Sequence, residues 1–252
     1  RTSRNYDPGK GAARDDRYRG EWLLAEDEGL EIMLNEHHQT ATCVDPAAPI
    51  VLGALARLSK KARLLILGNP VANRRQPVRV AEEMALLDIL SKGRLECGFV
   101  RGVPYEVLPA NSNPVRMNER QWEAIDLIVK AWTHHDGPIS HEGRFFHHRN
   151  INIWPRPYQQ PHPPIWVAAR DPDTFAWAMA SGANIIATPL SRPHAEVNTP
   201  DQRFADTLAT FPGITPTRFI ILRRTSAYTP ASRSVFPVHD HYQPAPPSRT
   251  LF

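Results

Sequence analysis

The sequence predicts an α/β fold on a parallel sheet, an incomplete TIM-type (β/α)8 barrel, and three observations carry that reading. Six short apolar runs alternate with helical patterns along most of the 252 residues, the rhythm of βαβ units. Polar and charged residues collect just past several of those runs, at the carboxyl ends of strands, where parallel α/β folds bind ligands. No GxGxxG follows a strand and no GxxxxGK[ST] occurs, so the usual dinucleotide and P-loop signatures are absent. Six strands fall between an open doubly wound sheet and an eight-stranded barrel, and the missing signatures favour the barrel.

The elements follow in chain order. Residues 1–20 read as turn formers and charges around Asp7-Pro8-Gly9, and Trp22, Leu23, Ala25 and Glu26 then open a short helix that Gly29 ends. The run 30–35 (LEIMLN) is a strand that hands over to Glu36-His37-His38-Gln39. A helix over 46–61 presents Ile50, Leu52, Leu55, Ala56 and Leu58 as its apolar face, and 62–68 (ARLLILG) is the next strand. In 77–102, Pro77 suits a first helical turn and Val80, Ala81, Met84, Leu87 and Leu90 recur at helical spacing, with Glu82, Glu83 and Asp88 elsewhere around the wheel. Gly93 suits the left-handed position that ends a helix, and the buried strand 95–100 delivers Arg101 and Gly102 to its carboxyl end.

A helix over 118–132 carries Trp122, Ile125, Ile128 and Val129 on one side. Proline and glycine then interrupt any long element over 134–164, an excursion from the repeating core. Strand 165–169, a helix over 172–181 ended by Gly182, strand 184–188, a helix over 201–211 and strand 218–222 complete the series. The expected domain covers 1–229. Residues 230–252, rich in Pro, Ser and His with no apolar period, read as an irregular tail.

Composition narrows the functional classes. With 41% hydrophobic and 22% charged residues the chain is globular, and no run approaches the roughly 18 apolar residues of a membrane span. The first residues are basic and polar without an apolar signal-peptide core, so a cytoplasmic protein without a membrane partner is expected. Cys43 and Cys97 have no CxxC spacing and read as small buried apolar residues. The net charge is +4, but the arginines are scattered, which argues for a solvated surface and anion contacts and against nucleic acid as a partner.

Three constellations carry chemistry. In Glu36-His37-His38 the neighbouring histidines point to opposite faces of an extended chain, which argues against a shared metal. One of them, facing the barrel mouth, can orient a reacting oxygen or move a proton; a hydrogen-bonded pair closing the strand end weighs equally. Arg101 can hold phosphate oxygens in a fork and Gly102 lets backbone approach a ligand, while an ordinary surface ion pair is the plainer alternative. Asp171-Pro172 caps the helix that follows the strand 165–169, and a helix start of that kind also suits phosphate. The other histidines lack spaced Cys or Glu partners, so no metal site is expected, and Trp22, Trp122, Trp132 and Trp177 read as packing residues.

Together, NEHHQ at 35–39, the run 77–94, GFVRG at 98–102 and WPRPYQQPHPPIWVAA at 154–169 resemble the bacterial-luciferase-like flavin-dependent monooxygenases, in order and at compatible spacing over about residues 7–228. The resemblance implies a TIM-type barrel in which this chain holds the strands corresponding to the second through seventh. It also implies reduced FMN at the carboxyl ends of the strands, O2 as co-substrate and oxygenation of a small organic substrate. By the same resemblance His37, after Glu36, matches the catalytic histidine. Arg101 with Gly102 matches the arginine at the flavin phosphate, and Arg170, Asp171 and Thr174 fall at phosphate-loop positions. A non-prolyl cis peptide is expected near Gly68-Asn69, which joins the cofactor-binding set. Val100 stands where luciferases carry a reactive cysteine, so light emission is not implied. The implied partners are an NAD(P)H-dependent flavin reductase and a second subunit in a homo- or heterodimer. Within the superfamily, F420 is the alternative cofactor, and a non-catalytic flavin-binding protein is the alternative function.

Overall fold

The computed structural model describes residues 3–41, 43–169 and 171–187 and the backbone of 219–221. The described residues divide into two compact units, one ending at Ile165 and one starting at Trp166, and each is taken by itself.

The first unit begins with helix α1 (Pro8–Asp27), much longer than its sequence suggests. Asp7 is its cap, not a turn residue: the carboxylate accepts the N–H groups of Gly9 at 2.9 Å and Lys10 at 3.2 Å, with Pro8 in the first turn. Polar residues on most of its faces hide the helix from a search for apolar period; Gly11 is its one buried residue. Glu26, near its end, accepts the backbone N–H groups of Lys60 and Ala62 and so ties α1 to the loop before the second strand.

Strands β1 (Ile32–Leu34), β2 (Leu64–Asn69) and β3 (Leu95–Phe99) run parallel, with Ile32 opposite Leu64 and Leu64 opposite Leu95. Ile32, Leu34, Leu64, Ile66, Leu95, Cys97 and Phe99 are buried and make the core layer under the helices. Helix α2 (Ala48–Leu58) buries Ala48, Leu52, Leu55 and Ala56. Ile50 and Leu58, expected on that face, are exposed instead. Helix α3 (Pro77–Ser91) buries Val80, Ala81, Met84 and Leu87 as its period requires, and it ends on Lys92 and Gly93 in the left-handed region at φ 57° and 79°. Asp88 departs from its expected polar face: it is fully buried, and its carboxylate accepts the backbone N–H and the side-chain amide of Gln159 at 2.7 and 2.8 Å. Arg94 joins α2 and α3 by donating to the carbonyls of Ala56, Ala62 and Ser91 at 2.8 to 2.9 Å.

Short helix α4 (Pro104–Val107) follows β3, and α5 (Met117–Thr133) covers the layer with Ala124, Ile125, Leu127, Ile128 and Trp132 buried. The Trp132 indole N–H donates to the carbonyl of Ala81 at 2.9 Å. Trp22, Trp122 and Trp177 are only half-buried. The excursion after α5 contains an antiparallel hairpin, β4 (Ile139–Glu142) and β5 (His147–Ile151), whose polar residues gave no strand signal. Its turn is anchored by Glu123 of α5, which accepts the N–H groups of Arg144, Phe145 and Phe146. Both cysteines are free thiols; Cys97 is buried as expected, whereas Cys43 is only half-buried.

The second unit holds the rest of β6 (Ile165–Ala168), then α6 (Pro172–Ser181), β7 (Asn184–Ala187) and β8 (Phe219–Ile221), with β6, β7 and β8 parallel. Trp166, Val167, Phe175, Ala178, Met179 and Ile185 form its core, and Gly182 ends α6 at φ 71°. The expected helix at 201–211, the tail 230–252 and Arg170 lie outside the described residues. Among the described residues no helix is long and apolar enough to cross a membrane.

Candidate functional site

The carboxyl ends of β1, β2 and β3 bring three loops together around one open cavity of about 200 Å³. His38 and Gln39 come from the loop after β1, Asn73 and Arg74 from the loop after β2, and Glu106 and Ala110 from the region after β3. Parallel strands all deliver their following loops to one edge, so residues far apart in sequence meet there.

Two buried carboxylates organise this edge. Glu36 is 2% exposed; one oxygen faces the His38 Nε2 at 2.8 Å and accepts from Arg74 at 2.5 Å, and the other accepts the Ala48 N–H at 3.1 Å. Burial pushes the Glu36 carboxyl above the usual glutamate range, against the opposing pull of Arg74 and His38. Glu106, also 2% exposed, faces His37 Nδ1 at 2.8 Å and accepts the His38 N–H at 3.0 Å on one oxygen, and the Val103 N–H at 3.1 Å on the other. Burial alone would raise the Glu106 carboxyl, but those two N–H groups and His37 outweigh it and hold the group below the usual range. His37 and His38 therefore do diverge, and each imidazole is oriented by a different carboxylate.

The sequence singled out Glu36 and His37 but not Glu106 or Arg74, whose partners lie 69 and 38 positions away. The one local signal for Glu106 is its third position in a helix opened by Pro104, where a glutamate can reach back to the preceding N–H.

The flavin-site candidates are placed as follows. The Leu67–Gly68 peptide is cis. A side chain at Gly68 would meet Val100 at 2.3 Å, so close packing of β2 on β3 already requires glycine. Asn69 is fully buried; its carbonyl side-chain oxygen accepts from Arg74 at 3.4 Å while its amide nitrogen has no protein partner. Both polar atoms of the Asn73 amide are likewise buried without a partner. Gly102 has φ 90°, and a side chain there would meet the Asn73 amide at 2.6 Å. Arg101 is exposed at the carboxyl end of β3 and donates to the Asn118 side chain at 3.0 Å. In the second unit, the Asp171 carboxylate caps α6: it accepts both the N–H of Thr174 at 2.9 Å and its hydroxyl at 3.0 Å.

The Asn69 amide nitrogen and both polar atoms of the Asn73 amide are buried polar groups without a protein partner, and they suit a ring whose edge alternates carbonyl and N–H groups, as a flavin's does.

Comparison with known proteins places the chain in a family and a fold. Residues 11–227 match the family model of luciferase-like monooxygenases. The chain is 34% identical over 197 residues to the oxygenase component of the flavin-dependent trigonelline monooxygenase of Acinetobacter baylyi, covering 77% of this chain and 54% of that protein. It spans about half the length of the curated relatives it matches. Among solved structures, monooxygenase RslO1 from Streptomyces bottropensis superposes with a TM-score of 0.73 at 25% identity, over 82% of this chain and 64% of that one. An F420-dependent secondary alcohol dehydrogenase shares the fold with a TM-score of 0.69 at 18% identity, over 82% and 64% of the two chains. The fold is thus of the TIM-barrel type, with six of its strands among the described residues. With the family model matched over most of its length, the chain belongs to the luciferase-like monooxygenases.

Proposed function

We propose that this chain is the oxygenating part of a flavin-dependent monooxygenase that uses reduced FMN and O2 to oxygenate a small organic substrate. Reduced FMN, when bound, supplies the electrons that activate O2. The chain's own residues bind, orient and manage protons. Asn69 and Asn73 would pair with the polar edge of the flavin ring, with Gly68 and Gly102 keeping the backbone close. Arg101 would hold the phosphate through its forked guanidinium. His37 takes or returns a proton at Nε2, and Glu36 keeps Arg74 and His38 in place behind it.

Arg170, Asp171 and Thr174 enter as a phosphate-binding turn on one condition. Phosphate reaches the Thr174 N–H and hydroxyl only if the Asp171 side chain, which now accepts both, swings away.

The observation that carries the reading is one cavity lined from three successive loops, beside two histidines each oriented by a buried carboxylate. A cytoplasmic setting and an NAD(P)H-dependent flavin reductase would supply the reduced flavin; the relative from Acinetobacter is itself named an oxygenase component. Exposed Ile50 and Leu58 on α2 and Leu86 and Ile89 on α3 offer apolar surface for a homo- or heterodimer.

The test combines the protein with a flavin reductase, FMN, NAD(P)H and a panel of small organic substrates under oxygen-18 gas, with reduced F420 in a parallel arm. Oxygen-18 in a product with FMN supports the reading. Turnover with F420 alone moves the chain to the F420 oxidoreductases, and FMN binding without turnover makes it a non-catalytic flavoprotein.

A further inference from the structure

We propose that Glu106 is the positioning residue of this site: its carboxylate fixes the His37 imidazole in the Nδ1–H tautomer and so presents Nε2 as the proton acceptor. The proposal rests on the reading of His37 as the proton-handling group, and it adds a residue and a protonation state that the family resemblance did not supply.

The geometry leads there in steps. The Glu106 carboxylate is buried and takes backbone N–H groups on both oxygens, His38 on one and Val103 on the other, so its orientation is set before His37 is considered. An ionised carboxylate only accepts, so the His37 Nδ1 at 2.8 Å from it must carry the hydrogen. The neutral ring then has its lone pair on Nε2, and the side chain is 35% exposed at the edge where the loops meet. When Nε2 takes a proton, the imidazolium is held against an anion and both ring hydrogens are usable.

The adjacent histidine provides an internal contrast. His38 points Nε2 at Glu36, at 2.8 Å, and Glu36 is also held by Arg74. The charged and titratable groups around the pair are therefore Glu106 beside His37, and Glu36 and Arg74 beside His38, with Tyr105 next to Glu106 on α4. Two consecutive histidines thus turn different ring nitrogens to two carboxylates, Nδ1 in His37 and Nε2 in His38, and of the two rings it is His37 whose Nε2 is not turned to a carboxylate.

The experiment reads the tautomer directly and without cofactor. Protein labelled with nitrogen-15 at histidine is examined by long-range proton–nitrogen correlation at about pH 8, above the usual histidine range, with the His37 signals identified by their loss in His37→Gln. The expected wild-type result is Nδ1–H at His37. In Glu106→Leu, which has no acceptor, His37 moves to the Nε2–H form that imidazole side chains favour in water; in Glu106→Gln, whose amide oxygen can still accept, Nδ1–H is largely restored. Cooperative unfolding of each variant shows that the fold survives. Should the leucine variant fail to fold, the wild-type spectrum alone decides, because Nε2–H at His37 there overturns the proposal. An unchanged Nδ1–H form in folded Glu106→Leu overturns it too. Nδ1–H in a protein that binds neither FMN nor F420 would leave the tautomer standing and remove the oxygenase reading, so the two failures are distinguishable.

Discussion

Individual residues at this site are constrained from more than one side. Gly98 sits in β3 with no room for a side chain: a methyl group would stand 2.2 Å from the Ile66 carbonyl and 2.6 Å from Leu67. Gly98→Ala should therefore spread β2 from β3 and cost about 1 to 3 kcal/mol, the range for overpacking a tight core, as read by urea unfolding. An unchanged midpoint would mean that the strands separate without loss. Because Asn69 ends β2 and Arg101 follows β3, the same variant should also weaken the proposed flavin binding.

At this scale the sequence was a partial guide. Glycines that punctuate elements, Gly93 and Gly182, were legible because a positive φ leaves a local trace. The roles of Glu106, Arg74 and the buried Asp88 were not, because each depends on a partner brought near only by the fold.

The elements show the same division between local and distant causes. Helix α3 was readable from its proline, its apolar spacing and its glycine stop. The start of α1 was not, because a polar helix opening with Asp-Pro-Gly has the composition of a turn. The hairpin β4–β5 escaped for another reason: its residues are largely polar and exposed, and its order comes from Glu123 on α5. Burial would raise the Glu123 carboxyl, but the N–H groups of Phe146, Phe145 and Arg144 together with His141 hold it below the usual range.

The sign of the pH dependence follows from that lowered value. The unfolded chain binds the proton more readily, so the stabilisation by Glu123 is complete above the ordinary glutamate range and is lost as pH falls through the lowered value. Glu123→Ala should cost about 2 kcal/mol near pH 7, the order expected for hydrogen bonds to a charged acceptor, and speed amide exchange in the hairpin. The difference from wild type should shrink toward acid pH, as chemical denaturation across pH 3 to 7 would reveal (about that range). A pH-independent difference would assign the loss to packing alone.

For the whole molecule, the alternation of strands and helices was enough to predict a parallel α/β sheet, because that rhythm is written along the sequence, and the absent dinucleotide and P-loop signatures turned the reading to a barrel. The family followed from four motifs that keep their order and is established by the match over residues 11–227. What the sequence left open is chemical. A substrate would be selected by loops whose side chains are not diagnostic, and FMN and F420 differ in contacts that the shared fold does not dictate. The proposed site holds reduced flavin at the carboxyl ends of β1 to β3, with its phosphate on Arg101.

The most direct measurement is anaerobic titration of the protein with reduced FMN, compared with Arg101→Ala and with riboflavin, which lacks the phosphate. FMN should bind saturably and weaken roughly tenfold to a hundredfold in Arg101→Ala, the worth of a charge-assisted hydrogen bond, while weaker riboflavin binding stays unchanged by the substitution. Equal affinity of the wild type and Arg101→Ala for FMN, or no binding of reduced FMN to the wild type, would contradict it.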